Sequence, residues 1–322
     1  MHKAVPHGKV SSAGPSRVPA FTPSGGGTRR MTTGTALILC GMVLCFSSSF
    51  IGVKIAYHSF PPFLTVFMRY LIVTPFFLVL HRALRLPWPS RRDFFLLASL
   101  GLIEPGLYMM FDSLAMKFTT AGQASLMAAT IPLFVVMMGT AVLRVPLRRP
   151  VAISALLSVA GIAVIFAHDI RAMEMRHLLG NGSMLCAAAV AALWTLLVKR
   201  LGATHPPLTI VTAQACSTLV FSGLLALGES RFLHPAVVTP SAAGAVIYVG
   251  IVSSGLGYLT LMTGIQRAGA VMASAFVNLI PVLTILLAAL ILGEPVTLWL
   301  VVGACLVMGA ILYLSKHQHL AF

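Results

Sequence analysis

Acidic side chains are the scarcest feature of this chain, with seven Asp and Glu against 22 Lys and Arg in 322 residues. Charged residues of both signs make up 9% of it, where a soluble domain carries about 25%. That shortage excludes a soluble globular protein, because too little charge is available to cover a water-facing surface. Recognisable chemistry is missing as well. There is no glycine-rich phosphate-binding loop ending in Lys and Ser or Thr, no Gly-x-Ser-x-Gly turn, and no His pair at metal-ligand spacing. These absences argue against an ATP-driven pump and an enzyme, and they imply no metal and no cofactor. The five cysteines lie inside apolar segments with neither zinc spacing nor a loop position suited to a disulfide, so they read as small packing residues. Residues 1–32 contain no acid and no apolar core, which excludes a secretory signal. Their Pro, Gly, Ser and basic residues fit a disordered basic cytoplasmic tail, with an organelle transit peptide as the compositional alternative.

What the chain has in abundance is apolar sequence: 58% of residues are hydrophobic. In this context the net charge of +15 points to basic loops on one side of a membrane and implies no nucleic-acid partner. The most informative stretch is 268–297, which is long enough to cross a bilayer, since roughly 20 apolar residues suffice. Residues 117–146 repeat 266–295, which overlaps nearly all of it, 149 positions earlier without a gap. Ala121 falls on Ala270, Ala124 on Ala273, Ser125 on Ser274, Pro132 on Pro281 and Pro146 on Pro295. At the same offset Gly101 meets Gly250 and Gly106 meets Gly255, while nearer the start an offset of 145 aligns Pro61-Pro62 with Pro206-Pro207.

Ten apolar spans are expected, near 33–56, 63–81, 94–112, 119–142, 151–167, 181–198, 207–227, 241–263, 269–292 and 296–315. With both termini in the cytoplasm, sixteen Lys and Arg fall on the cytoplasmic side and five on the other, the bias that sets orientation. Each repeat holds five spans. Five is odd, so the second copy enters the membrane upside down, an arrangement from which many secondary transporters are built. The expected architecture is therefore all-α: ten transmembrane helices as two inverted five-helix repeats, 33–167 and 180–315, behind a tail at 1–32.

Several stretches together carry a resemblance. They are Ser48 to Lys54 followed by Pro61-Pro62 and Arg69, Thr119 to Pro132 leading to Pro146, Trp194 with Lys199-Arg200, and Asn278 to Pro281 running to Leu292-Gly293-Glu294. The chain resembles the drug/metabolite transporter superfamily in its EamA-like branch, over about residues 35–315. The resemblance implies ten helices in two inverted halves and movement of small metabolites, often outward. It departs from the family pattern at Arg144-Val145, where a Gly-Glu pair is usual, and at Phe46-Ser47, where Trp-Gly is usual.

Polar residues at membrane depth are the candidates for function, because a charge at mid-bilayer costs roughly 2.5–3.5 kcal/mol on insertion scales and should face protein or water. Glu104, Tyr108 and Asp112 are spaced to share one helical face. They read as a stripe along a cavity with Glu104 as a proton or cation site, or as an interfacial Glu and a helix-ending Asp. Arg69 attracts an anionic substrate or makes a structural ion pair. Pro132 and Pro281 each release a carbonyl one turn back, at Ala128 and Val277, which suits either a substrate site between spans four and nine or a packing kink. Asn278, Gln123, Ser125, Gln214, Trp194 and the run Ser47-Ser48-Ser49 are further pathway candidates. The small residues of spans four and nine read as close helix contacts.

The function this predicts is a secondary transporter, an exporter of small metabolites across the inner or plasma membrane, working by alternating access with protons as the coupling ion. Its partners are a small-molecule substrate and membrane lipid. The alternatives are an uncoupled facilitator or channel and, from another class, an integral membrane enzyme or scaffold.

Overall fold

The computed structural model describes residues 33–143, 149–171, 175–201, 205–231, 237–268 and 276–316. The repeat partners Ala270, Ala273 and Ser274, the tail 1–32, and Arg144, Val145 and Pro146 lie outside the described residues. Among the described residues every regular element is helical. They are α1 (Thr33–Ala56), α2 (Pro62–Ala83), α3 (Arg91–Gly101), α4 (Tyr108–Phe118), α5 (Ala121–Ala128), α6 (Ile131–Leu143), α7 (Arg149–Arg171), α8 (Met175–Leu201), α9 (Pro207–Ser230), α10 (Pro240–Tyr248), α11 (Tyr258–Ala268), α12 (Ile280–Leu287) and α13 (Leu298–Lys316). Wide-turn π segments join α3 to α4 (Leu102–Leu107) and α10 to α11 (Val249–Gly257), and a third extends α12 (Ala288–Leu292). Eight of the resulting helices are long and apolar enough to cross a membrane, and two shorter apolar ones, Ile280–Leu292 and Leu298–Tyr313, follow.

Three expected boundaries are wrong in the same way. The third span runs to Phe118, the fifth to Arg171, and the sixth begins at Met175. Asp112 and Asp169 are thus helical residues. A polar side chain ends a helix only when it has nowhere better to go, and both have somewhere. Asp112 faces a cavity, and Asp169 is fully buried against polar partners. The fourth span, expected to be continuous, is broken instead. Thr130 closes a turn with its Oγ1 donating to the Met127 carbonyl at 2.6 Å, and α6 restarts at Ile131, so Pro132 sits in a first turn where its missing N–H leaves no bond unmade. The ninth behaves alike: a turn at Asn278-Leu279 precedes α12, with Pro281 in its first turn.

The helices pack in matched pairs. The α3–α4 helix packs on α8 and α9, while the α10–α11 helix packs on α1 and α2; α2 packs on α9 and α7 on α13. Glycines allow the closest approaches. A Cβ on Gly303 would stand 2.6 Å from the Ile165 side chain and 2.9 Å from the Gly161 carbonyl, so α7 and α13 cross at glycine on both sides. The small-residue face of α5 behaves as expected of a close contact: Ala121, Ala124 and Ser125 are buried, and Gly122 faces Ile285 of α12. The outside of the molecule is apolar, with Val79, Leu156, Leu227 and Leu290 exposed. Cys40, Cys186 and Cys305 are exposed too, which corrects their reading as packing residues, and all five cysteines are free. A helix bundle whose outer surface carries leucine and valine is suited to lipid rather than water.

Candidate functional site: a polar cavity between the helices

A cavity of about 230 Å³ lies among α1, α2, α4, α5, α11 and α12. The break between α3 and α4 builds one wall. Pro105 has no N–H to offer, and Glu104 adopts an extended backbone (φ −139°, ψ 123°) that interrupts the helix; the Glu104–Pro105 peptide is cis. Glu104, Tyr108 and Asp112 all line the cavity, although the break means that they do not lie on one regular helical face. Oε2 of Glu104 is buried without a hydrogen-bond partner.

Arg69 lines the cavity from α2 and is 7% exposed. Its Nε donates to Ser254 Oγ, Nη2 to Ser253 Oγ at 3.2 Å, and Nη1 points at Met109 Sδ at 3.8 Å. No carboxylate among the described residues pairs with it, which sets aside the structural ion pair. A guanidinium and two carboxyls therefore face one small chamber, with rings of Phe46, Phe50, Tyr108 and Tyr258 between them. Such a set can hold a small molecule by charge and by apolar contact together.

Other candidates divide. Ser125 and Pro281 line the cavity. Ala128 and Val277, one turn before the two prolines, line it as well. Pro132 does not, although its neighbour Ile131 does. Asn278 is buried in the turn before α12 outside the cavity lining, and Trp194 is half-buried on α8, its Nε1 without a partner. Ser49 lines the cavity, Ser47 donates to the Ile280 carbonyl at 3.1 Å, and Ser48 receives a hydrogen bond from Tyr248. Gln214 is buried with Nε2 unpartnered in a side chamber of about 20 Å³ that shares Pro105 and Tyr258 with the main cavity. Gln123 is elsewhere. Its Nε2 donates to Asp169 at 3.3 Å, and its Oε1 accepts from Thr119 at 2.6 Å and Asn181 at 3.0 Å. That cluster ties together α5, α7 and α8, a structural task. Among the described residues no group of three His, Cys, Asp or Glu is arranged to hold a metal.

Ser253, Ser254, Met109 and Tyr258 were not among the expected site residues. One signal pointed to the serines. The 149-residue offset that pairs Gly101 with Gly250 also pairs Glu104 with Ser253 and Pro105 with Ser254, and both of these pairs sit in π segments.

The model of the EamA-like transporter family matches residues 33–167 and again 178–316. The chain belongs to the EamA-like transporter family. An "uncharacterized transporter" of Archaeoglobus fulgidus is 25% identical over 291 residues, covering 90% of this chain and 100% of that protein. The uncharacterized transporter YetK of Bacillus subtilis is 24% identical over 298 residues, covering 91% and 90%. One crystal structure superposes with a TM-score of 0.60 at 20% identity, covering 89% of this chain and 99% of that one, a likeness of fold alone. This EamA-like protein is thus an integral, multi-pass membrane protein of a transporter family. Membership argues for a transporter of small molecules rather than an enzyme.

Proposed function

We propose that this EamA-like protein is a proton-coupled secondary transporter that exports small metabolites across the inner or plasma membrane, and that the cavity between α2, α4 and α11 is its substrate site. The observation that carries the reading is Arg69, a buried cation that pairs with no carboxylate among the described residues and lines one small chamber with Glu104 and Asp112. A family of transporters gives that chamber a task. Arg69, Tyr108, Asp112, Ser125 and the rings form the pathway; Glu104 takes up and releases the proton; Pro132 and Pro281 open the half-helices that follow the lining residues Ala128 and Val277; Asn278 and Trp194 support it.

Alternating access comes from two inverted halves, 33–167 and 180–315, behind a tail at 1–32. The exchange of packing partners supports this: α3–α4 meets α8 and α9 as α10–α11 meets α1 and α2. Side-chain contacts that sort by end support both termini on one side, and the Lys and Arg bias favours the cytoplasm for that side. Ser59 bonds to Val237 at 3.0 Å and Glu229 to Leu64 at 2.9 Å at the end far from the termini, and His81 bonds to Thr209 at 3.1 Å at the near one.

Inverted membrane vesicles energised to hold a pH gradient test the coupling. Addition of the transported solute should collapse the gradient in vesicles that contain the protein and leave it intact in vesicles without it. Solute entry with no change in the gradient would favour an uncoupled facilitator.

A further inference from the structure

We propose that Glu229 and Glu294 are the gating residues of the face opposite the termini, a role that rests on the two-half reading above. A helix leaves amide donors free in its first turn. In α2, Pro62 has no N–H and Thr65 N bonds to the Pro61 carbonyl at 2.9 Å, which leaves Phe63 and Leu64. Both donate to Glu229 Oε2, at 2.8 and 2.9 Å. In α5, Gln123 N bonds to Thr120 Oγ1 at 3.1 Å and Ala124 N to the Thr120 carbonyl at 3.0 Å, which leaves Ala121 and Gly122. These donate to Glu294, at 2.8 Å to Oε1 and 3.2 Å to Oε2. Each carboxylate thus accepts from the two free donors of one helix. A negative charge at a helix N-terminus is favoured, and charge-assisted hydrogen bonds are the strong ones.

The arrangement runs in one direction. Both acids come from the second half, and both capped helices come from the first. The offsets of the repeat map Glu229 onto Leu84 and Glu294 onto Val145, neither of which carries a charge. The repeat therefore supplies no acid at the two equivalent positions. Described polar contacts there include a neutral His81–Thr209 hydrogen bond at 3.1 Å and a half-exposed Asp93 at 3.8 Å from His205. Among the described residues the carboxylate brackets are found on the far face. The brackets also adjoin the chamber: Ser125 and Ala128 follow Gly122 on α5, and Arg69 follows Leu64 on α2. For the halves to part on the far face, both carboxylates must leave their amides, so the chain rests closed on that side and open more readily on the side of the termini.

Thiol labelling from either side of the membrane tests this on the full chain. All five cysteines are replaced and Ala128→Cys puts one thiol in the cavity. A membrane-impermeant thiol reagent is then applied to sealed vesicles of each orientation. Glu229→Gln with Glu294→Gln keeps size and one acceptor oxygen at each position, so the helices stay capped but weakly. The double variant should label on the order of tenfold faster from the far face and more slowly from the near face, with each single variant in between. Unchanged labelling from the far face overturns the gate, and so does an equal rise from both faces, the mark of general loosening. If the thiol is reached from one face only in every variant, alternating access fails and the gate with it. If it is reached from both faces in an unchanged ratio, the gate assignment alone fails.

Discussion

Glu104→Gln is expected to abolish gradient-driven accumulation while substrate binding survives. The carboxyl stands where the third span is broken, with Pro105 behind it and one oxygen buried without a partner. A buried acceptor left unpaired costs roughly 1–3 kcal/mol, and a chain with so few acids has no structural reason to keep that cost here. A proton that arrives when the cavity opens to one side supplies the missing bond by turning the acceptor into a donor, and its departure on the other side resets the site. Gln has nearly the same shape and cannot do this. Proteoliposomes carrying Glu104→Gln should therefore still exchange labelled for unlabelled solute at near the wild-type rate, yet fail to concentrate it when a pH gradient is imposed. Concentration at the wild-type rate would remove Glu104 from coupling and leave Asp112, the other cavity carboxyl, or an uncoupled mechanism.

The second large effect is expected at Arg69, where stability and function should move apart. A charge at the centre of a span costs roughly 2.5–3.5 kcal/mol on insertion scales. Arg69 recovers part of this through Ser253 and Ser254 and, among the described residues, none through an ion pair. Replacement of a buried charge by an apolar side chain of similar length is often neutral or stabilising, and the two serine hydroxyls can turn to carbonyls of their own helix. Arg69→Met should thus keep or raise the melting temperature of the purified protein while it lowers transport at least on the order of a hundredfold, the loss of about 2.7 kcal/mol of solute binding or gating energy. Arg69→Lys keeps the charge and loses the two-armed geometry, so an intermediate rate follows. A sharp fall in melting temperature with transport retained per folded molecule would make Arg69 a structural residue.

Most of the fold was legible because lipid imposes long apolar runs that a sequence cannot hide. Eight of the expected spans coincide with helices long and apolar enough to cross a membrane, and the last two overlap the shorter apolar helices Ile280–Leu292 and Leu298–Tyr313. Boundaries failed where polarity was taken as an end. Asp112 lies mid-helix because it faces a chamber, and Asp169 stays helical in the last turn of α7 because it meets Gln123 and Asn181. Sequence distance hides such partners, since Gln123 and Asp169 stand 46 residues apart. The same limit explains Gln123, which has the composition of a pathway residue and the contacts of a structural one. Spacing put Glu104, Tyr108 and Asp112 on one wall. It did not reveal what faces them, because Arg69, Ser253 and Tyr258 arrive from two other helices. The carboxylate brackets were invisible for a related reason: Glu229 and Glu294 read as loop residues until the helices whose amides they accept from are known.

The claim that this cavity moves a solute is tested most directly by the small molecules that cells release. Media are compared by mass spectrometry from cells that lack the protein, overproduce it, or overproduce Arg69→Met at the same membrane level. The account predicts that one solute or one chemical class rises in the medium on overproduction and falls in the deletion strain, with the Arg69→Met strain matching the deletion. Indistinguishable media from all three strains, across growth conditions in which the protein is present in the membrane, would contradict it.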